Sequence, residues 1–399
     1  MVATLRDVPV LPDYIDGQTD HDYMHAAWAN GPLARDRMGL IRTFPMSLMT
    51  EVMDDRWTRQ IELESMMVAG VTDGPVYDII DNVLLFSNGQ VHRNRRAPLA
   101  KTFAHRIIGE LRPGVAARCE RMVAALLGQG PVDFVERIAS PLPAHVIASV
   151  IGAPEDEVEV VARHVYSAIR GLSLVKDDIR AEADRDMGAL ADYVATLIDR
   201  RRADAQDDFL TGFLERVSGG PMDEAEIRTQ IMALVLAGSD TTRGALTATV
   251  SQLLQNPDQW ALLVEDPETH VPGAVSEGLR YDPVIGSLAR ITTERHEVAG
   301  YDLPAGTFIG NCMLTSLRDP EIYADPHRFD ITRTDHPRLH PVFGGGPHRC
   351  LGEVLARLEL EEALKALVRL APGMVLDGPP AKLRGYGATR VLSPMIVRM

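Results

Sequence analysis

Cysteine is scarce in this chain of 399 residues: Cys119, Cys312 and Cys350 are all it has. An odd number cannot fully pair, and so few make no disulfide framework, which fits a reducing compartment. The first twenty residues carry Arg6, Asp7, Asp13, Asp16 and Asp20 without a sustained apolar run, so neither a secretory signal nor a membrane anchor is expected. A soluble, cytoplasmic protein is predicted. Positive charge is in deficit, with 41 Lys and Arg against 56 Asp and Glu and a formal net charge of −15. Nucleic acid and anionic lipid carry the same sign, so neither is expected as a partner. No Ser/Gly linker, low-complexity tract or internal repeat divides the sequence, and the expectation is one domain over residues 1–399.

Helical periodicity dominates what is present. Helical patterns run over residues 20–35, 91–104, 111–127, 137–151, 156–170, 178–202, 227–254, 272–281 and 351–370. The long apolar run at 227–254 is preceded by Asp223 and Glu226 at capping-box spacing and followed by Pro257 as a stop. Strands are few and short: 40–43, 287–292, 297–298 with 308–311, and 391–397. Residues 319–340, thick with Pro, Asp, Arg and His, have no period and read as a long ordered loop. The fold class is mainly α with minor β.

The densest chemical signal is Phe343-Gly344-Gly345-Gly346-Pro347-His348-Arg349-Cys350-Leu351-Gly352. Its glycines permit backbone conformations closed to residues with a Cβ and a close approach to a flat ligand. They deliver Cys350 to the start of a helical pattern, where the helix N-terminus favours negative charge and lowers a thiol's pKa. The segment reads as a thiolate presented to a metal. Taken alone, a surface turn with an inert cysteine remains the alternative.

With its flanks the segment supplies Phe343, Gly346, His348, Cys350, Gly352 and Ala356, and this resembles the cysteine-ligand signature of the cytochrome P-450 family of haem-thiolate monooxygenases. Further motifs of that family occur in its order. His92 and Arg96 stand at the spacing of its haem-propionate pair, and Ala237-Gly238-Ser239-Asp240-Thr241-Thr242 is similar to its oxygen-activating segment. Glu277 and Arg280 match its Glu-x-x-Arg pair, and Arg328 resembles the third member of that ion cluster. The resemblance runs from about residue 90 to the C-terminus and, without an anchor, is to the soluble bacterial type. It implies the cytochrome P-450 fold, with haem b between the long oxygen-side helix and the helix that follows the cysteine loop.

The resemblance also implies roles. Cys350 would be the axial iron ligand, whose anionic sulfur pushes electron density toward bound oxygen. Phe343 would shield it from water, the amides of Leu351 and Gly352 would donate to it, and Gly344 and Gly352 would border the haem. His92, Arg96, Arg290 and His348 are the propionate candidates. On the other face, the Thr241 hydroxyl would capture the Ala237 carbonyl and bend the helix, opening a groove beside Gly238 for oxygen and a water. Asp240 and Thr241 would then be the catalytic pair that relays protons to that oxygen. Glu277, Arg280 and Arg328 would form a buried network beneath the haem.

Electrons would come from a separate ferredoxin or flavodoxin-type donor with its reductase, because no reductase domain fits after Ala371. The run from His92 to Arg106, with Arg93, Arg95, Arg96, Lys101 and His105 and no acid, would receive that acidic partner. Val76, Leu84, Leu85, Ile169, Leu172, Leu174, Leu236, Ile285, Leu288 and Thr389 occupy the family's pocket-wall positions, which suits a small apolar or partly apolar substrate oxidised with O2. Two alternatives stay open: a peroxide-driven or isomerising haem-thiolate enzyme, and a haem-based sensor or carrier.

Overall fold

The molecule is organised about one helix of 32 residues, Glu224–Gln255. Its N-terminus carries the capping box expected from the sequence: Glu226 N donates to Asp223 Oδ1 at 2.8 Å, and Asp223 N donates to Glu226 Oε2 at 3.2 Å. Reciprocal capping satisfies two of the amide donors that a helix start leaves unpaired. Apolar side chains buried on every face mark it as a core helix rather than a surface one. Helices Pro141–Val150, Val158–Arg170, Asp177–Ala203, Pro267–Tyr281 and Glu353–Leu370 pack against it. This computed structural model describes residues 3–103, 105–172 and 177–399, with the backbone alone at residues 105–108 and 177.

Minor sheet flanks the helices. Five strands are ordered Leu33–Arg35, Ile41–Thr43, Phe308–Cys312, Ser287–Thr292 and Thr58–Arg59; the second and third are parallel and the other pairs antiparallel. The largest buried apolar cluster draws on residues from Met66 to Val397, so N-terminal and C-terminal segments share it.

Several expected boundaries move. The helix predicted over 20–35 ends at Trp28, and Leu33–Arg35 is a strand paired with Ile41–Thr43. Gly31 at φ 145° followed by Pro32 breaks the helical backbone there. The helix predicted from Pro272 begins at Pro267, where Asp266 Oδ1 accepts from Thr269 N at 3.2 Å. The strand predicted over 391–397 is two pieces in different sheets, Val391–Leu392 and Ile396–Arg398, separated by Ser393, Pro394 and Met395. Residues 319–340 form no helix or strand, as expected.

Candidate active site

The cysteine loop is held by its own backbone and by two arginines. Gly344 and Gly346 take φ of 72° and 61°, conformations that glycine adopts without a Cβ penalty. The Cys350 amide donates to the Phe343 carbonyl at 2.8 Å and closes the loop. Arg349 Nη1 donates to the Gly344 carbonyl at 2.8 Å, while its Nη2 pairs with Glu353 at 2.6 Å. Arg96 Nη2 donates to the Arg349 carbonyl at 2.6 Å, tying helix Gly89–Thr102 to the loop.

Cys350 is exposed, whereas Cys119 and Cys312 are buried. The surrounding protein nevertheless desolvates its thiol and pushes the pKa up; the hydrogen bond from the Gly352 backbone, Arg96 and Arg349 pull the other way. The depressed pKa expected from a helix N-terminus is therefore overturned: the helix starts at Glu353, beyond the cysteine, and burial outweighs it. A coordinating metal deprotonates a thiol outright. Of the two amides expected at the sulfur, that of Gly352 is in place. Phe343 is half-buried, with the Arg357 guanidinium 5.3 Å from its ring centre.

Beside this loop the structure gathers all four propionate candidates. The ring of His92, itself 2% exposed, stacks on His348 with centroids 4.0 Å apart. His92 Nε2 and His348 Nδ1 are buried without a hydrogen-bond partner. Burial, then Arg96, lowers the His92 pKa; burial, then His92, Arg290 and Arg96, lowers that of His348 to about 3. Two neutral imidazoles with unsatisfied nitrogens, next to two guanidiniums, make a dry and electropositive cluster. Such a donor set fits a ligand bearing carboxylates, as haem does. Arg290, 1% exposed, is not free: it is ion-paired with Asp55, and its Nε donates to Thr58 Oγ1 at 3.2 Å.

On the central helix, Thr241 Oγ1 donates to the Ala237 carbonyl at 3.0 Å, as the sequence predicts. The helix runs unbroken through this point. Gly238 faces Ile147 of the neighbouring helix, where a Cβ would stand 3.3 Å from Ile147 Cδ1. In this stretch Ala237 is exposed and Ala233, Gly238, Asp240, Thr241 and Arg243 are half-buried, with Ala233, Ala237 and Thr241 on one face at four-residue spacing. Asp240 is ion-paired with Arg243, whose guanidinium carbon lies 4.4 Å from the Tyr166 ring centre. The three-residue spacing of Asp240 and Arg243 could have revealed that pair in the sequence.

The Glu-x-x-Arg pair is fully buried. Arg280 Nε and Nη2 donate to Glu277 at 2.7 and 2.8 Å, and its Nη1 reaches the carbonyls of Leu317 and Pro326 at 2.9 and 2.8 Å. Arg328 is not the third ion. Its side chain is exposed and its carbonyl accepts from Arg280 at 3.1 Å, while Arg333 Nε lies 3.4 Å from Glu277 Oε2. The irregular path of the loop brings Arg333 inward, which no periodic pattern could signal.

Two further expectations change. Arg95 points inward and pairs with Glu226 at 2.7 Å, leaving Arg93 and Lys101 exposed; the side chains of His105 and Arg106 lie outside the described residues. Of the expected pocket wall, Val76 is 0% and Leu236 5% exposed and both belong to the core, and Leu174 lies outside the described residues. Two surface clefts, of about 440 and 610 Å3, are lined by none of the residues around Cys350.

Residues 162–370 match the family model described as cytochrome P450. The plant-inducible cytochrome P-450 pinF1 of Rhizobium radiobacter is 39% identical over 347 residues, covering 86% of this chain and 82% of the relative. The luteothin monooxygenase of Streptomyces thioluteus is 36% identical, over 77% of this chain and 76% of that protein. Among solved structures, the crystal structure of CalO2 superposes with a TM-score of 0.87 at 26% identity, over 94% of this chain and 95% of that one. This chain belongs to the cytochrome P-450 family, whose members hold haem b and whose named relatives here include monooxygenases. Among the described residues, no helix is long and apolar enough to cross a membrane.

Proposed function

We propose that residues 1–399 form one cytochrome P-450 domain that inserts one atom of O2 into a small apolar or partly apolar organic substrate, in the cytoplasm, with electrons from a separate ferredoxin or flavodoxin-type donor. The observation that carries this reading is the convergence of an exposed cysteine with an electropositive cluster holding two orphaned imidazole nitrogens.

Haem bound there supplies a redox-active iron at which O2 is reduced. Cys350 is the iron ligand, and the Gly352 amide tempers the charge on its sulfur. The propionates fall to His92, Arg96, Arg290 and His348. Gly344, at φ 72°, takes a backbone conformation that a side chain would strain, and so would keep the loop in the turn that presents Cys350. Ala237, small and exposed on the helix, would leave room for oxygen beside bound haem. Thr241 rests on the Ala237 carbonyl and can turn its hydroxyl toward oxygen, while Asp240, once released by Arg243, carries protons inward from solvent. The donor docks near Arg93 and Lys101, the exposed remainder of the basic run.

Absorption of the reduced, carbon-monoxide-treated protein tests the ligand. The wild type gives the red-shifted band of thiolate-ligated haem and Cys350→Ser loses it; an unchanged spectrum in the variant refutes the assignment. Substrate class is tested by scoring small apolar compounds for a spin-state shift of the ferric haem, and a response confined to strongly polar compounds overturns that part of the reading.

A further inference from the structure

Arg290 faces two ways. It is close enough to His348 and His92 to oppose protonation of both rings, yet its guanidinium is ion-paired with Asp55. Asp55 follows the short helix Ser47–Val52, and the same segment also meets the cysteine loop: the Met53 carbonyl oxygen lies 3.4 Å from where a Cβ on Gly346 would stand. One turn of chain thus spans the loop and the propionate cluster. Arg290 is buried, whereas the Asp55 side chain is 44% exposed, so the pair has one fixed and one movable partner. No carboxylate is hydrogen-bonded to His92, Arg96 or His348 among the described residues, which makes Asp55 the anion set against this cluster.

We propose that Asp55 is a positioning residue that competes with a haem propionate for Arg290, and so sets how tightly haem is retained and how readily its iron is reduced. The inference rests on the propionate reading of Arg290 given above. A guanidinium carries enough donors for two carboxylates, but two anions on one cation repel each other and each gains less from it. Reduction adds an electron to the iron, and a negative charge nearby opposes it. Removing the Asp55 charge therefore strengthens the hold of Arg290 on propionate and favours reduction.

The test uses the holoprotein and three variants, Asp55→Asn, Arg290→Gln and Glu51→Gln. Glu51, on the helix that precedes Asp55, pairs with His296 at 3.0 Å, and its variant controls for charge alone. Haem transfer to apomyoglobin and the midpoint potential are measured. Asp55→Asn slows transfer about two- to fivefold, the range of an ion pair with an exposed partner, and shifts the potential upward. Arg290→Gln speeds transfer, and Glu51→Gln changes neither quantity. If Arg290→Gln has its effect but Asp55→Asn speeds transfer or changes nothing, competition by Asp55 is refuted and the propionate role of Arg290 stands. If Arg290→Gln itself leaves both quantities unaltered, the propionate reading falls, and this inference with it.

Discussion

Replacing Glu277 by leucine removes the carboxylate that neutralises Arg280 while leaving the guanidinium in a site where both side chains are 0% exposed. Arg280 keeps its bonds to the carbonyls of Leu317, Pro326 and Arg328, so it stays buried and cannot escape to water. Asp330 N, which donates to Glu277 Oε1 at 2.8 Å, loses its acceptor as well. Breaking a buried pair by removing one partner costs about 3–5 kcal/mol. For a chain of 399 residues, an unfolding entropy of roughly 2 cal/mol/K per residue turns that into a fall of about 4–6 °C in melting temperature. Calorimetry of the holoprotein measures it. Two further variants separate the ions of the network: Arg333→Ala lowers the melting temperature because its guanidinium faces Glu277, and Arg328→Ala stays within about 0.5 kcal/mol because its exposed side chain takes no part. A large loss in Arg328→Ala, or a melting temperature unchanged in Glu277→Leu, contradicts this account of the network.

Gly278→Ala, one residue along the same helix, places a Cβ 2.1 Å from Thr249 Oγ1 of the central helix and lowers stability by about 1–3 kcal/mol; a melting curve that superposes on the wild type argues against that contact. His340 caps the turn ahead of the cysteine loop, with Val342 N donating to its Nδ1 at 3.3 Å, and burial holds its pKa down at about 3 against an ordinary 6.5. Above about pH 6.5 neither folded nor unfolded chain protonates it, but as pH falls toward 3 the unfolded chain gains a proton that the folded one refuses, so stability declines with acid. His340→Gln shows a shallower decline between pH 7 and 5, and an identical slope removes the attribution. Thr241→Ala loses the hydroxyl held by the Ala237 carbonyl, so product formation drops about 100-fold or more while reductant is still consumed and appears as peroxide, and Thr241→Ser retains much of the coupling. Wild-type coupling in Thr241→Ala would exclude the hydroxyl from proton delivery.

Much of the site was legible because its chemistry is local. The glycines that let the loop turn, the cysteine beyond them, the threonine hydroxyl four residues after its carbonyl, and the capping box at Asp223 each depend on neighbours within one or two turns of chain. The Glu277–Arg280 pair was readable for the same reason. Helix ends were less so: Pro272 reads as a start, yet the cap at Asp266 begins that helix earlier.

What the sequence alone determined is the set of chemical groups and their short-range geometry, because covalent spacing and helical period restrict those directly. Tertiary packing decided which distant groups face each other: Arg333 rather than Arg328 on Glu277, Arg95 on Glu226, Asp55 on Arg290, and Gly238 against Ile147. It also reversed the expected Cys350 shift, since desolvation depends on every segment packed around the sulfur. Burial and long-range pairing arise from how whole elements meet in space, and no window along the chain contains that information.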